Sequence, residues 1–66
     1  IKNYPKIEIE KKYSDMIKHG KVIYINKYKD ITNNKNKCFL IICNNRLVSI
    51  ANLEKGYIIP RRNFIN

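Results

Sequence analysis

Residues 38–64 read CFLIICNNRLVSIANLEKGYIIPRRNF, three apolar stretches set apart by two short turns. The uninterrupted run Cys38–Cys43 is far shorter than the roughly 20 residues that cross a bilayer, and it suits a strand buried on both faces. Asn44 and Asn45 follow as two adjacent residues that tolerate positive φ, the requirement of a tight hairpin. In the return strand, RLVSIANL, alternation predicts Leu47, Ser49 and Ala51 on one face and Val48, Ile50 and Asn52 on the other. Small residues on one side allow a neighbouring strand to pack closely. Gly56 supplies the freedom in φ that the next turn, EKG, needs, and a last strand begins at Tyr57. Pro60 fixes its own φ and donates no hydrogen bond, so Arg61 and Arg62 are expected to stand away from a continuing ladder.

Upstream, KIEIE places Ile7 and Ile9 on one side and Lys6, Glu8 and Glu10 on the other, the period of a half-buried strand. Pro5 stands at its entrance, a position that an edge strand tolerates. From Glu10 the period changes: Tyr13, Met16 and Ile17 recur at helical spacing, and Gly20 follows as a left-handed stop. The predicted helix is short, with Lys18 and His19 in its last turn, where cations suit the dipole. KVIYINKY is β-branched and aromatic, and its apolar residues 22–25 predict a strand buried within a small barrel. KDITNNKNK, residues 29–37, has little apolar content and reads as a solvated loop. Short strands, one short helix and regularly spaced turns together predict a mainly β domain, a small pseudobarrel of mixed strands.

The chain has 66 residues, room for one domain, and a chain of this length buries only about 60% of the surface it exposes when unfolded. Its 44% hydrophobic content is that of a globular protein, but 14 Lys and Arg face 5 acids, a net charge of +9. Such a charge favours polyanionic partners. It has a second reading, since a genome rich in A and T favours Ile, Lys, Asn and Tyr codons whatever the partner. The opening residues have no continuous apolar stretch of the kind a secretory signal needs, so a cytoplasmic location is expected, without membrane attachment. The chain begins with Ile, and the expectation is a C-terminal piece of a longer protein.

Cys38 and Cys43 lie five positions apart in one predicted strand, so they point to opposite faces and are expected to stay reduced. With His19 they do not form the short paired spacings of a zinc site, and no metal or other cofactor is expected. Nucleophile–base pairs, paired carboxylates and phosphate-binding glycine loops are all missing from the sequence, so catalysis by this chain alone is not expected. What remains is binding chemistry. Lys18, His19 and Lys21 cluster around Gly20, whose tight turn lets a nucleic-acid backbone come close, and the Arg61–Arg62 pair offers guanidiniums that match phosphate bidentately. His19 and Lys18 also have the plainer reading of a helix cap. Tyr24, Tyr28 and Tyr57 are candidates for stacking on bases, or for ordinary cross-strand packing.

The order of YPKIEIEKKYSDMIKHGKVI, residues 4–23, resembles the opening of the C-terminal PUA domain of bacterial TruB-type tRNA pseudouridine synthases. There a proline precedes a strand, a short helix follows, and a glycine introduces the next strand. RLVSIANLEKGYIIPRRNF is similar to the closing pattern of that family: small residues, a Gly turn, apolar residues, Pro and a basic pair before an aromatic. The resemblance covers residues 4–64. It implies a PUA-like pseudobarrel with one helix that helps to hold tRNA, while a separate catalytic domain, with an aspartate that attacks the T-loop uridine, performs the isomerisation. On that likeness the family's helix-to-strand loop maps onto Lys18, His19, Gly20 and Lys21, and its terminal basic pair onto Arg61 and Arg62. The implied partners are tRNA and the catalytic domain of the parent enzyme, with the chain itself monomeric. Two other readings stand beside it: a packing module that steadies a parent enzyme, and an unrelated small nucleic-acid-binding barrel.

Overall fold

A computed structural model of the chain describes residues 4–30 and 38–64. The elements run β1 (Lys6–Glu8), α1 (Lys11–Lys18), β2 (Ile23–Tyr24), a 3-10 turn (Asn26–Tyr28), β3 (Cys38–Cys43), β4 (Arg46–Glu54) and β5 (Tyr57–Asn63). Among the described residues one mixed sheet of order β1-β3-β4-β5-β2 contains every strand, with β1 parallel to β3 and the other pairs antiparallel. The predicted loop falls mostly on residues 31–37, outside the described residues. Among the described residues no helix is long and apolar enough to cross a membrane.

The meander β3-β4-β5 forms where the local chemistry demands it. Asn44 and Asn45 take φ of 52° and 63°, and Lys55 and Gly56 take 51° and 90°, so both hairpins close on two left-handed residues whose twist matches the strands. Gly56 is also pressed from outside: a Cβ there would lie 2.6 Å from the Tyr24 ring and 3.2 Å from the Ile25 carbonyl. At the other end of the sheet, Pro5 precedes the edge strand β1 and its carbonyl accepts from the Leu40 N–H at 2.9 Å.

Two one-residue irregularities bend this sheet. Between Ile41 and Ile42 the β3–β4 register slips, leaving Val48 as the extra residue, and between Ile50 and Ala51 the β4–β5 register slips, leaving Arg61 extra. Bulges bend a strand and increase its twist, so five strands curl into a half-barrel. Curling gathers Ile7, Phe39, Ile41, Val48, Ala51, Leu53, Ile58 and Ile23 on the inside, where Ile17 of α1 completes the core. Burying one such Ile contributes about 1.5–3 kcal/mol. Among the described residues β1 and β2 are the two edges and do not pair with each other; α1 packs on β2, β4 and β5.

Four expectations are corrected, three of them by these bulges and edges. The simple alternation of β4 fails because the Val48 bulge turns Val48 and Ser49 both inward, leaving Leu47, Ile50 and Asn52 half-buried on the other side. The ladder does not end at Pro60: the single extra residue absorbs the missing donor, and pairing resumes with Arg62 opposite Ile50 and Asn63 opposite Ser49. The strand expected over residues 22–25 shrinks to two residues, with Val22 49% and Tyr24 42% exposed, because an edge strand on a curled sheet has one face on the core. Of the predicted stripe of α1, Ile17 is buried and Tyr13 packs against the core, whereas Met16 is exposed and Ser14 is buried in its stead, the small serine allowing the helix to approach β4. Cys43 lies in the core and half-buried Cys38 on the opposite face, as their spacing predicts.

Gly20 and Gly56 separate two causes of glycine use. Gly20 has φ of 80° but a Cβ there meets nothing within 4 Å, whereas Gly56 has both the left-handed φ and the Tyr24 ring above it. Gly20→Ala is expected to cost about 1 kcal/mol and Gly56→Ala about 2–3 kcal/mol. At about 4–8 °C per kcal/mol in a domain of this size, thermal melts resolve the difference, and equal losses would refute the crowding at Gly56.

Candidate nucleic-acid interface

Helix α1 packs on β2, β4 and β5, and its C-terminus is closed by three devices. Gly20 N–H donates to the Ile17 carbonyl at 2.8 Å and Lys21 N–H to the Met16 carbonyl at 3.1 Å, the paired bonds of a Schellman stop. Nδ1 of His19 lies 2.7 Å from the Asp15 carbonyl, so the ring donates from that nitrogen and caps the helix. The Asn63 side-chain amide donates to the Ile17 carbonyl at 2.9 Å, tying the last turn of α1 to the end of β5. Residues 18–21 and the end of β5, far apart in sequence, therefore meet.

The six cationic-site candidates divide between two surfaces. Lys18, His19, Gly20 and Lys21 are all exposed at the helix end, with the His19 ring committed to its cap. Arg61 and Arg62 are exposed on the face of the sheet away from α1: Arg61 Nε donates to the Asn52 side chain, and Arg62 lies opposite Ile50 with its guanidinium carbon 5.5 Å from the Phe64 ring centroid. The Arg62 carbonyl accepts from the fully buried Ser49 hydroxyl at 3.1 Å, which holds the backbone of the basic pair after the bulge.

Lys18 has cationic neighbours that sequence reading missed. A cleft of about 200 Å³ opens between α1 and the β3–β4 turn, lined by Lys11, Ser14, Lys18, Asn44 and Arg46, with Cys43 and Val48 beside them. Three cations and no acid line it. Lys11, Ser14 and Lys18 fall at i, i+3 and i+7, one flank of the helix, and Arg46 enters from the first position of β4. Lys11 also pairs with Asp15 at 3.5 Å, but both side chains are mostly exposed and such a pair is weak, so the ammonium remains available. Among the described residues the other ion pair joins Lys12 to Glu10, away from this lining. The heptad spacing of Lys11 and Lys18 beside buried Ser14 was the one signal in the sequence; Arg46 carried none, because its approach depends on how the helix crosses the sheet.

Three cations, a hydroxyl and a side-chain amide around one cleft make a receptor for an anion with several acceptor oxygens, such as a phosphate. Among the described residues no group of His, Cys, Asp and Glu is placed to hold a metal ion. The fold is a mainly β half-barrel of five mixed strands with one short helix. Compared with known proteins, the chain matches no family model, no curated protein and no solved structure.

Asn63 is the joint between the helix end and β5. Asn63→Ala removes its bond to the Ile17 carbonyl and is expected to cost about 1 kcal/mol, a fall of about 4–8 °C in Tm. An unchanged melt would mean that this bond does not hold the two segments together.

Proposed function

We propose that this chain is a non-catalytic RNA-binding domain that grips the phosphate backbone, and that it serves as the tRNA-holding appendage of a tRNA pseudouridine synthase. The single observation that carries the first part is the acid-free cleft of Lys11, Lys18 and Arg46. A net charge of +9 draws polyanions to the whole surface, and the cleft supplies a place where three cations converge on one anion. The second part rests on the resemblance of residues 4–64 to the PUA domain of TruB-type enzymes, together with a half-barrel fold compatible with it. In this reading Lys18 and Lys21 extend the cleft along the helix end, Gly20 keeps the turn low, and Arg61 and Arg62 contact RNA from the other face. The parent's catalytic domain supplies the chemistry.

A packing role in a parent enzyme has one observation in its favour. Ile42, Ile50 and Ile59 lie half-buried on the outer face of the sheet, where another domain can cover them. Replacing Arg61 and Arg62 by Ala in a longer enzyme separates the readings: lower thermal stability with unchanged tRNA affinity favours packing, and the reverse favours binding.

The direct test is titration of the chain with tRNA across a salt series. Each phosphate contact releases counterions, so log affinity falls linearly with log salt, by about 0.7–0.9 per phosphate. Changing Lys11, Lys18 and Arg46 together to Ala is expected to flatten that slope by about one per cation, while the melt stays within about 0.5 kcal/mol because all three side chains are exposed. A flat salt response in the unmodified chain would overturn the proposal.

A further inference from the structure

At the far end of β4 from the cationic cleft lies a second concavity of different chemistry. It has about 380 Å³ and is lined by Val22, Glu54, Lys55, Tyr57 and Ile59. Two of its apolar side chains are about half exposed, Val22 at 49% and Tyr57 at 50%. The neighbouring Tyr24 ring is braced. It lies over Gly56, packs on Tyr57 with ring centroids 5.0 Å apart at 54°, and donates its hydroxyl to the Asn26 side chain at 3.1 Å. Tyr57 is thereby supported from behind and presents its ring beside the groove.

From this geometry we infer that the groove receives one unpaired nucleobase bearing an exocyclic amino group. The inference rests on the reading that the chain binds nucleic acid. An aromatic wall and a Val22–Ile59 floor suit a flat apolar face, and the partner a +9 chain attracts is one whose flat rings come on an anionic backbone. Glu54 supplies direction. An ionised carboxylate only accepts hydrogen bonds, so it receives one from the exocyclic amino group of cytosine, adenine or guanine and repels the carbonyl that uracil presents at that position; uracil's own donor, N3–H, lies one ring position away, and using it requires the base to shift on the Tyr57 ring. Lys55, beside it in the turn, is placed for the adjoining phosphate. The nine residues of β4 separate the groove from Arg46 of the cleft by about 25 Å, so one strand reaches both sites and each is tested without disturbing the other.

Three RNA probes decide it with the intact chain: an oligocytidine and an oligouridine, each of about ten nucleotides, and a duplex without unpaired bases. Expected is oligocytidine bound about tenfold tighter than oligouridine. Tyr57→Val, which keeps a strand-forming residue, removes about tenfold from the oligocytidine affinity and leaves the duplex unaffected. Glu54→Gln brings the two oligonucleotides together without touching the duplex. Equal binding of both oligonucleotides, with Tyr57→Val silent, overturns the groove while leaving backbone docking in place. Failure of all three probes to bind overturns both. Concentration-dependent dimerisation abolished by Tyr57→Val, with no base preference, assigns the groove to a second copy of the chain and also overturns it.

Discussion

The extra residue at Val48 is the constraint on which the molecule turns. It lies between the pairs Ile41–Ser49 and Ile42–Leu47 and lets two consecutive side chains, Val48 and Ser49, both enter the interior. A regular ladder would put one of them outside, and a sheet without the added twist would lie too flat to surround Ile17. With the bulge, the start of β4 bends toward α1, and the helix settles with Ser14 and Ile17 inward. The cleft between Lys11, Lys18 and Arg46 is the outer rim of that same contact. Its geometry is therefore inherited from the core.

The second bulge plays a complementary part in β5. Pro60 removes a donor from the ladder, and the extra Arg61 beside it absorbs the break so that Arg62 and Asn63 pair again with β4. The Ser49 hydroxyl then reaches the Arg62 carbonyl and the Asn63 amide reaches the end of α1. A buried serine is expensive to leave unpaired, so its bond also favours one register over its neighbours. By these short links a three-residue stretch of β5 joins strand, core and helix.

Charge sets the remaining balance. A chain of 66 residues carrying +9 repels itself, and its small core leaves little margin against that repulsion. The ion pairs among the described residues are exposed and offset little of it. On the proposed reading, an anion seated among Lys11, Lys18 and Arg46 would offset part of that repulsion and so link binding to stability.

The residues by themselves determined whatever depends on nearest neighbours. Asn44–Asn45 and Gly56 were legible as turns because positive φ is a local property, and Gly20 as a helix stop for the same reason. Strands β3, β4 and β5 followed from apolar runs bounded by turn residues, and the short helix from a period of 3.6 ended by Gly20. The tertiary structure alone decided the parity of β4, the continuation of β5 beyond Pro60 and the exposure of Val22 and Tyr24, because each depends on pairing across the sheet or on an edge position. It alone joined Arg46 to Lys11 and Lys18. Exposed cations carry no period of their own, and their grouping is set by where a helix crosses a sheet whose strand order departs from chain order.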